Sequence, residues 1–134
     1  MDLDISCGCF TGSSGVFDGL RLAWSEAAGY GTLDYRGVGG PVMPAIDWTK
    51  IDTEDMVGEW PEGAPDDPLL ILLVHYETKG RIKVEHCPYL ASRLEELETV
   101  LIKDQHLLPA LLATQQFVRG LRFAVNSHQD VLFT

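Results

Sequence analysis

The apolar positions of this chain follow two periods and one unbroken run. Near the start, Leu3, Ile5 and Cys7 alternate with Asp2, Asp4 and Ser6, the period of a strand with one face on a core. Thr11-Gly12-Ser13-Ser14-Gly15 follows as a turn that supplies N-cap residues. Phe17, Leu20, Trp24 and Ala27 then recur at helical spacing, predicting a helix over about 16–28 with Gly29 as its left-handed terminator. The longest apolar run, Leu69-Leu70-Ile71-Leu72-Leu73-Val74, is bounded by Pro68 and a charged loop. It reads as a strand over 69–76 covered on both faces. Leu90, Leu94, Leu97 and Leu101 predict a helix over about 85–102, its start fixed by Pro88, which is tolerated only in a first turn. A further helix is expected over about 109–127, with Leu111, Leu112, Gln115, Val118, Leu121, Arg122 and Val125 tracing its inner face. Gly120 inside that helix implies close packing, and Val131-Leu132-Phe133 reads as a closing strand.

Between these segments the pattern weakens. Leu33 to Val38 has the character of a short strand, broken by Gly39-Gly40-Pro41. Pro44, Pro61, Pro65 and Pro68 oppose long helices, leaving room for one short turn at Asp52 to Val57. The order of elements predicts an α+β domain spanning 1–134. A small sheet would centre on strand 69–76, flanked by Met1–Cys7 and Val131–Phe133, with the helices near 16–28, 85–102 and 109–127 packed on one face. An irregular segment at about 47–67 interrupts it.

Composition adds little until charge is considered. The chain has 134 residues, 46% hydrophobic and 22% charged, enough to bury a core without staples. No stretch approaches the roughly 18 apolar residues of a membrane span. The acidic opening Met1-Asp2-Leu3-Asp4 lacks the basic region of a secretory signal, so a cytoplasmic protein is expected. Cys7, Cys9 and Cys87 are odd in number and read as free thiols rather than a disulfide framework.

The net charge of −10 is uneven. Asp47, Asp52, Glu54, Asp55, Glu59, Glu62, Asp66 and Asp67 stand against Lys50 alone, so the stretch 47–67 carries −7 and the rest of the chain −3. Direct nucleic-acid binding is disfavoured, because affinity for phosphate backbones comes from Lys and Arg. A basic surface on a protein partner is the matching expectation. Within the stretch, Asp47, Trp48, Asp52, Glu54, Asp55, Glu59 and Trp60 offer charge for steering and aromatic anchors.

The loop after residue 74 offers a different chemistry. His75, Lys79, Arg81 and Lys83 precede a helix N-terminus, whose free N–H groups favour anions. A nucleotide-like ligand is the alternative reading, although neither GxGxxG nor a P-loop pattern accompanies it. Cys7, Cys9, His75, His86 and Cys87 could converge, yet C-x-C and an adjacent His-Cys are not zinc spacings, so neither metal nor cofactor is expected. Cys87 with His86 or His75 is the one nucleophile–base combination in view. His106 and His128 have surface-loop surroundings. A non-enzymatic protein is the expectation.

The segment Ile71-Leu72-Leu73-Val74-His75-Tyr76-Glu77-Thr78-Lys79-Gly80-Arg81-Ile82 resembles a group of small, uncharacterised bacterial and phage proteins. In those, an apolar strand runs into His-Ser-Asp-Cys-Asp-Gly-Glu-Ile and then a helix bearing Leu-Glu-Glu-Leu. This chain keeps His75, Gly80, Ile82 and Cys87, with Leu94-Glu95-Glu96-Leu97 at the matching place. The opening Leu3-Asp4-Ile5-Ser6, the stretch Gln116 to Arg122 and the terminal Val131-Leu132-Phe133 are also similar. The resemblance carries no activity, but by association it implies inhibition of a host or defence protein. The acidic loop of that group suits a hard cation. Here Glu77, Lys79 and Arg81 stand at those positions, so the cation site does not carry over.

Overall fold

A computed structural model describes residues 2–30, 51–61, 63, 65–76 and 79–134. The weak strand expected at Leu33 to Val38 and its break at Gly39 to Pro41 lie outside the described residues. The protein is α+β, and the described residues form five α-helices and two small antiparallel sheets packed against them. β1 (Asp2–Ile5) pairs with β2 (Phe10–Ser13). Its burial alternates as the sequence predicts, with Leu3 and Ile5 inside and Asp2 and Asp4 outside. β3 (Arg81–Ile82) pairs with β4 (Val131–Leu132). The two sheets meet where Ile5 bridges Phe133, Ser6 N–H donates to Leu132 O at 2.9 Å and Thr134 N–H donates to Asp4 O at 2.8 Å.

α1 (Ser14–Ala27) starts where Ser13 Oγ accepts from Val16 N–H at 3.1 Å. It ends at Gly29, whose φ of +84° allows Tyr30 N–H to return to Ser25 O at 2.9 Å. α2 (Thr53–Met56) is the short turn expected at Asp52 to Val57. α3 (Leu69–Leu73) corrects the sequence reading: the long apolar run is a buried helix, not a strand, so no sheet centres on 69–76. A helix that is apolar all round needs burial on all sides, and periodicity cannot tell it from a covered strand. Composition explains the outcome, since four of the six residues 69–74 are leucines, good helix formers, and only Ile71 and Val74 are β-branched. Pro68 is already in helical conformation, and Asp67 Oδ1 accepts from Leu69 N–H at 3.0 Å to open the turn.

α4 (Cys87–Leu101), preceded by a 3-10 turn at Val84–His86, and α5 (Leu111–Asn126), preceded by one at Leu108–Ala110, form the largest helix pair. α4 buries the predicted leucine stripe. α5 is rotated from the predicted face: Thr114, Phe117, Val118, Leu121 and Ala124 are inside, whereas Leu112 is 78% exposed and Arg122 faces solvent. The deciding residue is Phe117, the largest apolar group on the helix interior, which joins an aromatic cluster. Its ring lies 6.3 Å from Phe17 and 5.4 Å from Trp24. Phe17 also meets Phe10 at 5.4 Å and Phe133 at 6.0 Å. Trp24 Nε1 donates to Thr114 Oγ1 at 2.9 Å, so the buried indole is satisfied.

A cation sits beside this cluster. Arg21, 2% exposed, donates through Nη1 to His75 O at 2.6 Å and Leu72 O at 3.4 Å, and through Nη2 to Asp18 Oδ1 at 2.6 Å. It places positive charge at the C-terminal carbonyls of α3, where the helix dipole favours it.

Two helical glycines have opposite requirements. A Cβ on Gly120 would lie 2.8 Å from the Cys9 backbone and 2.5 Å from its Sγ, so α5 and the β1–β2 connection meet there without room for a side chain. A Cβ on Gly19 in α1 would meet nothing within 4 Å. Gly120→Ala is expected to destabilise the fold by about 1–3 kcal/mol through overpacking. Gly19→Ala should stabilise it by roughly 0.5–1 kcal/mol through helix propensity. Urea unfolding midpoints of the two variants check the opposite signs.

Candidate functional site

The acidic segment and the basic loop, read from sequence as separate candidates, form one unit. Asp52 caps α2, its Oδ1 accepting from Glu54 N–H at 2.9 Å and Asp55 N–H at 3.1 Å. Asp55 Oδ2 accepts in return from Asp52 N–H at 3.3 Å, completing a capping box. Asp55 is thereby buried, while Asp52 and Glu54 remain exposed. The chain leaving α2 is then stitched to the loop: Tyr76 N–H donates to Met56 O at 2.7 Å and Arg81 N–H to Val57 O at 2.9 Å. Gly58 makes the crossing possible. Its φ is +90°, and a Cβ there would sit 1.6 Å from Arg81 O.

Charge closes the same seam. Arg81 donates through Nε to Glu59 Oε1 at 3.1 Å and through Nη2 to Glu59 Oε2 at 3.3 Å. Its Nη1 reaches Asp130 Oδ2 at 3.0 Å. Lys83 Nζ donates to Glu59 O at 2.9 Å. The hydrogen bonds from Arg81 hold the Glu59 carboxyl below the usual carboxylate range, despite some desolvation. Trp60, with φ of +42°, is half-buried and packs against the core rather than projecting. Asp47 and Trp48 lie outside the described residues.

His75 is 2% exposed and points inward. Its ring stacks on Phe133 at 3.9 Å between centroids, with Nδ1 2.6 Å from Tyr76 O and Nε2 3.1 Å from Arg81 O. Burial pushes its pKa down, and the nearby Arg21 charge adds to this, against the pull of the two carbonyls. Lys79 is exposed with Nζ 5.1 Å from the Tyr76 ring centroid. The four loop residues therefore do not converge on one cavity: His75 serves the core, Arg81 and Lys83 turn to Glu59, and Lys79 stands apart.

The thiols lie close enough to influence one another, and all three are free. Burial pushes the Cys87 thiol up to about 12, with Asp130 and Cys7 adding to it. A nucleophilic cysteine needs the opposite shift. Both ring nitrogens of His75 lie within hydrogen-bond distance of backbone carbonyls, to one of which the neutral ring donates. Among the described residues, no group of three or more His, Cys, Asp or Glu is placed to hold a metal ion. No helix among them is long and apolar enough to cross a membrane.

Comparison with known proteins finds no matching family model, curated protein or solved structure.

Two features escaped the sequence reading. One is Asp67, which gathers Arg93 Nε at 3.0 Å and Nη2 at 3.3 Å, the Tyr30 hydroxyl and Leu69 N–H. Burial would raise its pKa, but these donors outweigh burial and leave it lowered. Burial, then the hydrogen bond to Asp67, pushes Tyr30 up to about 12. The other is an apolar groove of about 400 Å³ between α1 and the Leu107–Ala113 stretch. Its only sequence signal is the set of small and apolar residues on the side of α1 away from the core.

Gly58→Ala should cost on the order of 3 kcal/mol, because the methyl group meets a backbone carbonyl at a left-handed φ. A fall in the urea midpoint together with loss of amide protection at Tyr76 and Arg81 would show it. Asp67 supplies the pH dependence. A carboxyl with a depressed native pKa stabilises fully at neutral pH and loses that contribution as pH falls below about 4. The stability difference between the native protein and Asp67→Asn is thus expected to be largest near pH 7 and to shrink in acid, read by thermal melts across pH.

Proposed function

We propose that this chain is a small, non-enzymatic interaction protein whose acidic segment engages a basic surface of a protein partner. The observation that carries the reading is the disposition of charge. Arg81, Lys83, Arg93 and Arg122 each face a carboxylate of the same chain. Exposed Asp52, Glu54 and Asp66 have no ion-pair partner among the described residues. With a net charge of −10, the outward field at this segment is negative and suits electrostatic steering of a basic partner. Burial of Asp55 and half-burial of Trp60 suit them to holding the segment, and the ion pairs of the part-exposed Glu59 suit it to clamping, which leaves Asp52, Glu54 and Asp66 as contact groups.

The alternative, an anionic small-ligand site at His75, Lys79, Arg81 and Lys83, has less support, since Arg81 and Lys83 already share Glu59. A partner that itself handles nucleic acid fits the basic surface required. The likeness of Ile71 to Ile82 to phage proteins makes inhibition of a host or defence protein the role we favour for such binding.

The test is affinity capture from cell lysate at low and high salt, with the native chain and a Glu54→Lys/Asp66→Lys double variant. A partner captured at low salt should be lost at high salt and lost by the double variant. Salt-independent capture that the double variant retains would sink the reading.

A further inference from the structure

The groove on α1 carries a second, independent inference. Val16, Gly19, Leu20, Ala23 and Glu26 all line it and fall at i, i+3, i+4, i+7 and i+10 along α1. They form a straight trough wall of about 15 Å at 1.5 Å per residue. The opposite wall is His106, Leu107, Pro109, Ala110 and Ala113, with Phe10 also lining the space. Val16 is 62% exposed, whereas Leu20 and Leu107 form the buried floor.

Three observations define an occupant. First, one wall is a single straight helix face, along which a second helix can pack. Second, its middle has no side chain. Gly19 lies inside a 14-residue helix, where glycine is disfavoured, and neither packing nor a left-handed φ requires it there. Its absent side chain, followed one turn later by Ala23, lets a second helix approach closely. Third, the charge at the groove has one sign. Glu26 is the one carboxylate in the lining, and no Lys or Arg is among the described lining residues. Its neighbour His106 lies at 3.5 Å with a side chain 79% exposed, so an incoming cation could replace it at little cost.

We propose that this groove docks an amphipathic α-helix of a protein partner, with an apolar stripe against Val16, Gly19 and Ala23 and a Lys or Arg at the Glu26 end. This surface is separate from the acidic segment, and the proposal does not depend on that segment's role.

The probe is a synthetic 14-residue helical peptide with Leu at i, i+3, i+4 and i+7 positions and Lys elsewhere. Its controls are a peptide of the same composition in scrambled order and one with Glu replacing Lys. Binding to the isotope-labelled full chain is followed by amide shift perturbation. Shifts should map to residues 16–26 and 106–113, with both controls binding more weakly. A Cβ at Gly19 meets nothing within 4 Å, so Gly19→Leu should keep a melting temperature close to that of the native chain while binding the patterned peptide about tenfold more weakly. Glu26→Gln should weaken it by roughly two- to fivefold and reduce its salt dependence.

Equal binding by Gly19→Leu at an unchanged melting temperature would overturn the proposal, as would equal binding of the scrambled peptide. Contacts in the free protein from another part of the chain or from a second copy across the trough would do the same. Shifts confined to 52–67 would also overturn it, while leaving the acidic-segment reading intact.

Discussion

One buried cation, Arg21, ties α1 to the end of α3 within the core. Arg21 lies on the inner face of α1, yet its guanidinium ends at the carbonyls of Leu72 and His75, where α3 stops. A short apolar helix leaves its last carbonyls without intrahelical partners, and in a buried position water cannot supply donors. Arg21 does so, with Asp18 balancing its charge and the Phe17 ring beneath it at 4.9 Å. Removing such a group would leave buried acceptors and a carboxylate uncompensated, a loss larger than the net worth of the bonds themselves. The position of α3 against α1, and through His75 the path of the following loop, both depend on this contact.

From that anchor the charge layout becomes intelligible. The loop after α3 carries Arg81 and Lys83 outward, and the acidic segment returns to meet them. Backbone hydrogen bonds from Tyr76 and Arg81 set the register, and Glu59 and Asp130 together balance the two bases. What looked along the chain like an acidic patch beside a basic patch is an internal clamp with a residual negative face. Surface ion pairs of this kind add little stability individually. Their effect here is to pair the bases of the seam, leaving Asp52, Glu54 and Lys79 as exposed charges around it.

Much of the secondary structure was legible. The leucine stripe of α4, an N-cap for α1 within Thr11–Gly15 and its Gly29 stop, the alternating β1 strand and the tight fit at Gly120 all follow from local spacing and local chemistry, although the turn expected at Thr11–Gly15 is in part the strand β2. The failures share a cause. Leu69 to Val74 is apolar at every position, so its pattern contains no phase from which to choose strand or helix. On α5 two overlapping stripes were available, and Phe117 rather than Leu112 went inside because Phe17 and Trp24 were waiting there. The candidate sites fared similarly. His75 was conspicuous as a polar residue after an apolar run, but nothing local distinguishes a ligand-facing histidine from one stacked on Phe133.

The sequence by itself determined the α+β class, the positions of the long helices and the concentration of negative charge in one stretch, because each depends on residues near one another along the chain. Only the tertiary structure decided which charges cancel, where Arg21 ends, and that one side of α1 is left as an open groove. The first two depend on pairs 22 and 54 residues apart, Glu59 with Arg81 and Arg21 with His75, and the groove on segments more distant still. Sequence spacing holds no information about such pairs until packing brings them together.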